Sequence, residues 1–106
     1  MIVEERLYSL KPEYPVKALL DIYESTGALE LQARVLGRLI GYFTTEVGML
    51  NCVVHLWGYD SFEERANRRA ALNIEPVWQD YLDKVRPMLV SMENRLLLPT
   101  PFSPIR

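Results

Sequence analysis

The chain has 106 residues, 49% of them hydrophobic and 25% charged, a balance that suits one globular domain with a single packed core and excludes a disordered or fibrous chain. A formal net charge of −2 with both signs interspersed argues against a nucleic-acid partner. The one cysteine, Cys52, allows neither an internal disulfide nor a thiolate zinc site, so a reducing, cytoplasmic setting is the simplest fit.

The amino terminus lacks the basic start and apolar stretch of a secretory signal. Every apolar run is broken well short of the roughly 20 residues a membrane span needs, so no membrane partner is expected. Residues 2–10 alternate, Val3 and Leu7 to one side and Glu4, Arg6 and Tyr8 to the other, which predicts a strand with two unlike faces. Pro12 and Pro15 end it. Val16, Leu19, Leu20 and Tyr23 then recur at i, i+3, i+4, i+7, the stripe of an amphipathic helix. Thr26 and Gly27 interrupt that helix, and a further stretch runs to Leu36 before Gly37, a residue suited to left-handed backbone past a helix end.

Residues 39–47 and 52–59 are rich in β-branched and aromatic side chains, and turn residues lie between them, which predicts a hairpin. Ser61 followed by Glu64 is a capping box that opens a second helical region. Ile74, Glu75 and Pro76 break it, since a residue before proline avoids helical geometry while proline suits a first turn. Trp78, Tyr81, Leu82 and Val85 form the next stripe. Residues 88–98 alternate again, Met88, Val90 and Met92 opposite Ser91, Glu93 and Arg95, and predict a fourth strand. Residues 1–98 thus form the domain, and Pro99, Pro101 and Pro104 make residues 99–106 an extended tail that could fold over a neighbour or stay loose.

The order βαββαβ is the split pattern of an α+β, ferredoxin-like domain, a four-stranded antiparallel sheet with helices on one face. The uncovered face is expected to carry Tyr8, Tyr42 and Trp57 beside Arg6 and His55. An open aromatic patch on a small domain marks an interaction surface, so a twofold homodimer through the sheet faces is expected.

The run from Gly37 through Tyr42-Phe43-Thr44-Thr45-Glu46-Val47-Gly48, Asn51, and then Val54-His55-Leu56-Trp57-Gly58-Tyr59-Asp60-Ser61 resembles the NIPSNAP family. Arg65, Arg68, Arg69, Trp78, Tyr81, Glu93-Asn94-Arg95 and Pro99-Thr100-Pro101 extend the likeness over nearly the whole chain. The resemblance implies a dimeric α+β barrel with a cavity in each half. The wider barrel superfamily includes cofactor-free monooxygenases, heme-degrading enzymes and isomerases, but a shared fold does not establish chemistry.

With the hairpin turning between Val47 and Asn51, Tyr42 falls across from His55 and Ile40 across from Trp57. On that register the barrel interior would gather Arg6, Tyr8, Tyr42, His55, Trp57, Tyr59 and Glu93, the composition of a small-molecule pocket. His55, the lone histidine, is the one candidate for a general base or hydrogen-bond donor, weighed against a buried structural role that is the commoner case. Arg6 could hold a carboxylate or enolate, or simply pair with Glu4 or Glu93, and the ion pair is favoured. Arg65, Arg68 and Arg69 read as a solvated helix face paired with Glu63 and Glu64, and Cys52 as a small core or edge residue. No phosphate loop, nucleophile elbow or dinucleotide fingerprint is present, so no cofactor is expected, and one histidine without a cysteine cluster makes no metal site. The leading expectation is a dimeric barrel that binds a small apolar or aromatic molecule. The alternatives are a cofactor-independent monooxygenase or isomerase using His55 with Arg6 or Tyr42, and an interaction module acting through its helices or tail.

Overall fold

The amino-terminal alternation becomes an interior strand of the sheet. In a computed structural model describing residues 1–106, the strands are β1 (Ile2–Leu10), β2 (Leu39–Thr44), β3 (Cys52–Tyr59) and β4 (Leu89–Leu97), in the antiparallel order β2-β3-β1-β4. That order is ferredoxin-like: β1 lies between β3 and β4, and β2 and β4 form the edges. The helices are α1 (Val16–Ser25), α2 (Ala28–Leu36), α3 (Phe62–Asn73) and α4 (Pro76–Val85), and a 3-10 turn (Arg86–Met88) leads into β4. No helix is long and apolar enough to cross a membrane.

Local chemistry sets the helix boundaries. Gly27, at φ 82°, separates α1 from α2, and Gly37, at φ 90°, ends α2 with its N–H donating to the Ala33 carbonyl (2.9 Å). A side chain at Gly37 would also collide with the Arg68 guanidinium, 2.9 Å from where a Cβ would sit. Ser61 caps α3 by accepting from the Glu64 N–H (3.0 Å), while Glu64 accepts from the Asp60 N–H, one residue before the cap. Pro76 opens α4 at its first turn, where the missing N–H is not needed. Trp78, Tyr81 and Val85 form the buried stripe of α4.

The strand pairings correct the expected register in three places. β2 ends at Thr44, and residues 45–51 form the hairpin loop. Tyr42 does face His55, but a bulge between Leu39 and Gly41 sets Leu39, not Ile40, opposite Trp57. In β4 the pairing slips where Ser9 meets Ser91 and Leu10 meets Leu89. Val90 is left out of the ladder and is 65% exposed, and Met88 belongs to the 3-10 turn. Asn51 fixes the hairpin base with φ 61°, its amide donating to the carbonyls of Leu10, Lys11 and Tyr14 (3.3, 3.1 and 2.9 Å).

The larger correction concerns the two sheet faces. The helices cover the side that carries Glu4, Arg6, Tyr8, Tyr42, His55 and Trp57, not the opposite one. The ring of Tyr42 lies 5.3 Å from that of Tyr23 on α1, which lies 5.4 Å from Tyr81 on α4, and Glu4 is bonded to Arg65 on α3. The open face carries Glu5, Leu7, Val54, Leu56, Phe43 and Leu97, following the cross-strand pairs. The physical reason is complementarity: the inward positions of the helices mix aliphatic residues (Leu19, Leu31, Leu36, Leu72, Val85) with aromatic and polar ones (Tyr23, Gln32, Arg65, Trp78, Tyr81), so they match a face on which Ile2 and Leu10 lie beside the aromatics and Glu4. Residues 99–106 turn back on themselves, Arg106 donating to the carbonyls of Pro101 and Ser103, and border a cleft of about 440 Å³ with Val3, Leu56 and Leu97 at the margin of the open face. Cys52 is fully buried beside Ser9, with its Sγ 3.1 Å from the Ser9 Oγ.

Candidate functional site

Cross-strand pairing aligns functional side chains in rows on the covered face. One row spans all four strands: Tyr42, His55, Arg6 and Asn94. On either side run Leu39, Trp57, Glu4 and Leu96, and Thr44, Val53, Tyr8 and Met92. Antiparallel neighbours place their Cβ atoms only about 5 Å apart, so these rows are continuous surfaces. Six of the seven residues expected to share a pocket are brought together here: Arg6, Tyr8, Tyr42, His55, Trp57 and Tyr59. Glu93 is not among them. It pairs with Leu7 on the open face, where Glu5, Leu7, Glu93, Asn94 and Arg95 border a shallow groove of about 500 Å³. A single step along β4 reverses the face: Met92 and Asn94, on either side of Glu93, pair with Tyr8 and Arg6 on the covered face.

Glu4, fully buried, is the hub of the polar half of this surface. Its Oε2 accepts from Arg6 (3.0 Å), Arg65 (2.6 Å) and Asn94 (2.8 Å), so the expected pairing of Arg6 with Glu4 holds. Burial alone would raise the Glu4 carboxyl, but hydrogen bonds from Arg65 and Asn94 and the charges of Arg6 and Arg65 outweigh it and hold the pKa at about 2. Arg6 Nε also donates to the Tyr8 hydroxyl (2.7 Å), and its guanidinium lies 5.6 Å from the centre of the Tyr8 ring.

Arg65 and Arg69, expected on a solvated face, turn inward instead. Arg68 alone behaves as read, pairing with Glu64 (2.8 Å) while also donating to the Val35 carbonyl. The composition of α3 contained the signal. Leu72 is its one buried apolar residue, so the stripe at i, i+4, i+7 that faces the sheet is Arg65, Arg69 and Leu72. A helix without an apolar stripe must bury the stems of its long polar side chains.

His55 is buried between the ring of Tyr42, stacked at 4.5 Å, and the edge of Tyr8 at 5.0 Å. Burial first, and then the charges of Arg6 and Arg69, lower its pKa to about 3, so it is neutral near pH 7. The Trp57 indole N–H, a donor only, is 2.7 Å from His55 Nδ1. Nδ1 must therefore be the accepting nitrogen, and the ring proton sits on Nε2, which has no partner within the chain. At its free nitrogen His55 is thus a hydrogen-bond donor, and its basic lone pair is already engaged by Trp57.

Past His55 the seam between α4 and β4 encloses a cavity of about 10 Å³, lined by Tyr8, Tyr42, His55, Tyr81, Leu82 and Met92 among others. That is room for one water at most. Burial pushes the hydroxyls of Tyr23, Tyr42 and Tyr81 above the ordinary tyrosine range, so all three stay neutral. Tyr23 is hydrogen-bonded to Gln32. Tyr59, whose hydroxyl has no partner, is pushed up to about 12 by burial and the nearby Glu4 charge.

The fold and this surface define a ferredoxin-like α+β domain with a buried Arg–Glu hub beside a tyrosine–histidine wall. The NIPSNAP family model matches residues 3–104, and the chain belongs to that family. It is 35% identical to a NipSnap homologue of Dictyostelium discoideum over 91% of its own length, and spans 41% of that relative. A NIPSNAP family protein from Agrobacterium tumefaciens is similar in structure (43% identity, 99% of this chain and 98% of that one, TM-score 0.93). So is an uncharacterized NIPSNAP-like domain protein from Burkholderia xenovorans (52% identity, 97% and 88%, TM-score 0.90). An antibiotic biosynthesis monooxygenase shares the fold at 11% identity (95% and 100%, TM-score 0.64), a likeness of fold alone.

Proposed function

We propose that this domain binds a small flat molecule in the seam between the helices and the covered sheet face, and that two copies assemble through their open sheet faces. The observation that carries the ligand reading is His55: almost fully buried, neutral, its proton placed by Trp57 on an Nε2 with no partner, and lining the seam cavity beside Tyr8 and Tyr42. A buried donor without an acceptor costs about 1–3 kcal/mol, and a bound acceptor would recover it. The cavity of about 10 Å³ means that α4 and β4 must part for entry, with Leu82 and Met92 as the side chains that would give way. As Nε2 is a donor, the role that fits His55 is to orient a ligand oxygen, whereas an oxygenase or isomerase using it as a base would first have to break the Trp57 bond. The dimer reading is supported by the apolar residues no helix covers, including Leu7, Val54 and Leu56, with Phe43 53% exposed.

Native mass spectrometry of freshly purified protein tests both parts. A dimer with added mass is expected. A monomer would overturn the assembly, and a bare dimer that takes up no aromatic compound from a screened set would leave a filled interaction module as the better reading.

A further inference from the structure

The hydrogen-bonding atoms buried under the helices are unevenly matched. Arg65 Nε, Arg69 Nη1, His55 Nε2 and Trp78 Nε1 are donors without a partner in the chain, and Tyr59 Oη can act either way. Against them stands one unpartnered acceptor, Glu4 Oε1. Arginine and indole N–H groups can only donate, so this end of the surface calls for acceptors, which a ligand or water can supply.

The charges are unbalanced in the same sense. Arg6 and Arg65 both direct a nitrogen to the single oxygen Oε2 of Glu4, and Arg69 forms no ion pair. Two guanidinium groups therefore share one carboxylate and a third, that of Arg69, pairs with none, while His55 is neutral. Arg69 is half-buried, and burial together with the Arg6 charge works against its protonated form, with Glu4, Tyr59 and Tyr8 also close enough to act on it. A cation taken out of water without a counter-charge is costly, and one added anion would relieve it.

The two imbalances meet at Tyr8. Its hydroxyl is bonded to Arg6, and its ring packs against His55 and lines the seam cavity. An aromatic wall thus adjoins an electropositive, donor-rich end. The covered side of β4 is partly open to solvent: Met92 and Leu96 are 45% and 38% exposed although they point toward the helices, and Asn94 between them is exposed too.

The geometry points to a flat organic acid as the ligand class, its carboxylate held by Arg69 and Tyr59 and its ring laid along Tyr8, Tyr42 and His55. This rests on the seam being the binding site. A carboxylate fits the need because it has only acceptor atoms and matches the planar fork of arginine. A neutral aromatic would leave the charge excess in place.

The test compares benzoate and 2-naphthoate with their neutral amides, titrated into the full chain and followed by the two indole N–H resonances, with affinities from calorimetry. The acids are expected to bind at least about tenfold more tightly than the amides, and added sodium chloride should narrow the gap. Arg69→Gln should remove the preference and Arg69→Lys should keep most of it. If Arg69→Gln does not fold, Tyr59→Phe, which deletes only an unpartnered hydroxyl, should reduce it. Equal binding of acids and amides would overturn the acid inference and leave the seam site standing, as would a preference unchanged in Arg69→Gln or, where that variant fails to fold, in Tyr59→Phe. Failure of all four compounds to bind at millimolar concentration would overturn the seam site itself.

Discussion

The two faces of this sheet invert the usual arrangement. The covered face buries a carboxylate, three guanidinium groups that bear on it, an imidazole and several phenols, while aliphatic side chains such as Leu7, Val54 and Leu56 lie on the face with no helix over it. The difference teaches that burial here follows the partner surface more than hydropathy. Glu4 is tolerated under α3 because arginine and asparagine reach it there, and Leu7 remains on the open side because no element of its own chain returns to cover it.

Breaking the hub is the severest test of that comparison. Glu4→Ala leaves Arg6, Arg65 and Asn94 without their common acceptor and should cost about 3–5 kcal/mol in urea unfolding, as removal of one partner from a buried ionic cluster does. Asn51→Ala probes the hairpin base shared by both faces. It deletes three hydrogen bonds to carbonyls and a residue suited to φ 61°, and a loss of about 2 kcal/mol is expected by the same measurement.

Acid should unbalance the covered face through His55. Its folded pKa of about 3 lies below the ordinary 6.5, so the unfolded chain takes up the proton first, and stability is fully present above pH 6.5 and lost as the pH falls toward 3. Glu4, at about 2 against an ordinary 4.5, adds to the loss only below pH 4.5. Between pH 6.5 and 5 the His55 contribution amounts to about 2 kcal/mol, and His55→Gln should remove that part of the slope. Nitrogen-15 chemical shifts of His55 should show the Nε2–H form, and a proton on Nδ1 would contradict the donor role. On the open face Phe43→Ser should change the stability of an isolated protomer by no more than about 0.5 kcal/mol, yet shift sedimentation from dimer toward monomer. Unchanged sedimentation would argue against assembly through that face.

Much of the fold was legible because its signals are local. The break at Gly27, the stop at Gly37, the Ser61–Glu64 cap, Pro76 opening a helix and the Tyr42–His55 pair all depend on residues near one another or on a short hairpin. The errors lie where one residue more or less changes a face: the bulge between Leu39 and Gly41, and the skipped Val90 in β4. Glu93 follows from the same period-two rule, which places it with Leu7 rather than with Arg6.

What the sequence by itself determined is the set of elements, the two unlike faces of each strand and the residues that form the aromatic–polar surface. Backbone propensity, capping and periodicity act over a few residues and need no knowledge of the rest of the chain. Only the tertiary structure decided which face the helices cover, that Arg65 and Arg69 turn in toward Glu4, and that Trp57 sets the proton of His55. The first two outcomes depend on groups far apart in the chain, 61 residues in the case of Arg65 and Glu4, and on the mutual fit of two surfaces that each mix apolar with polar side chains.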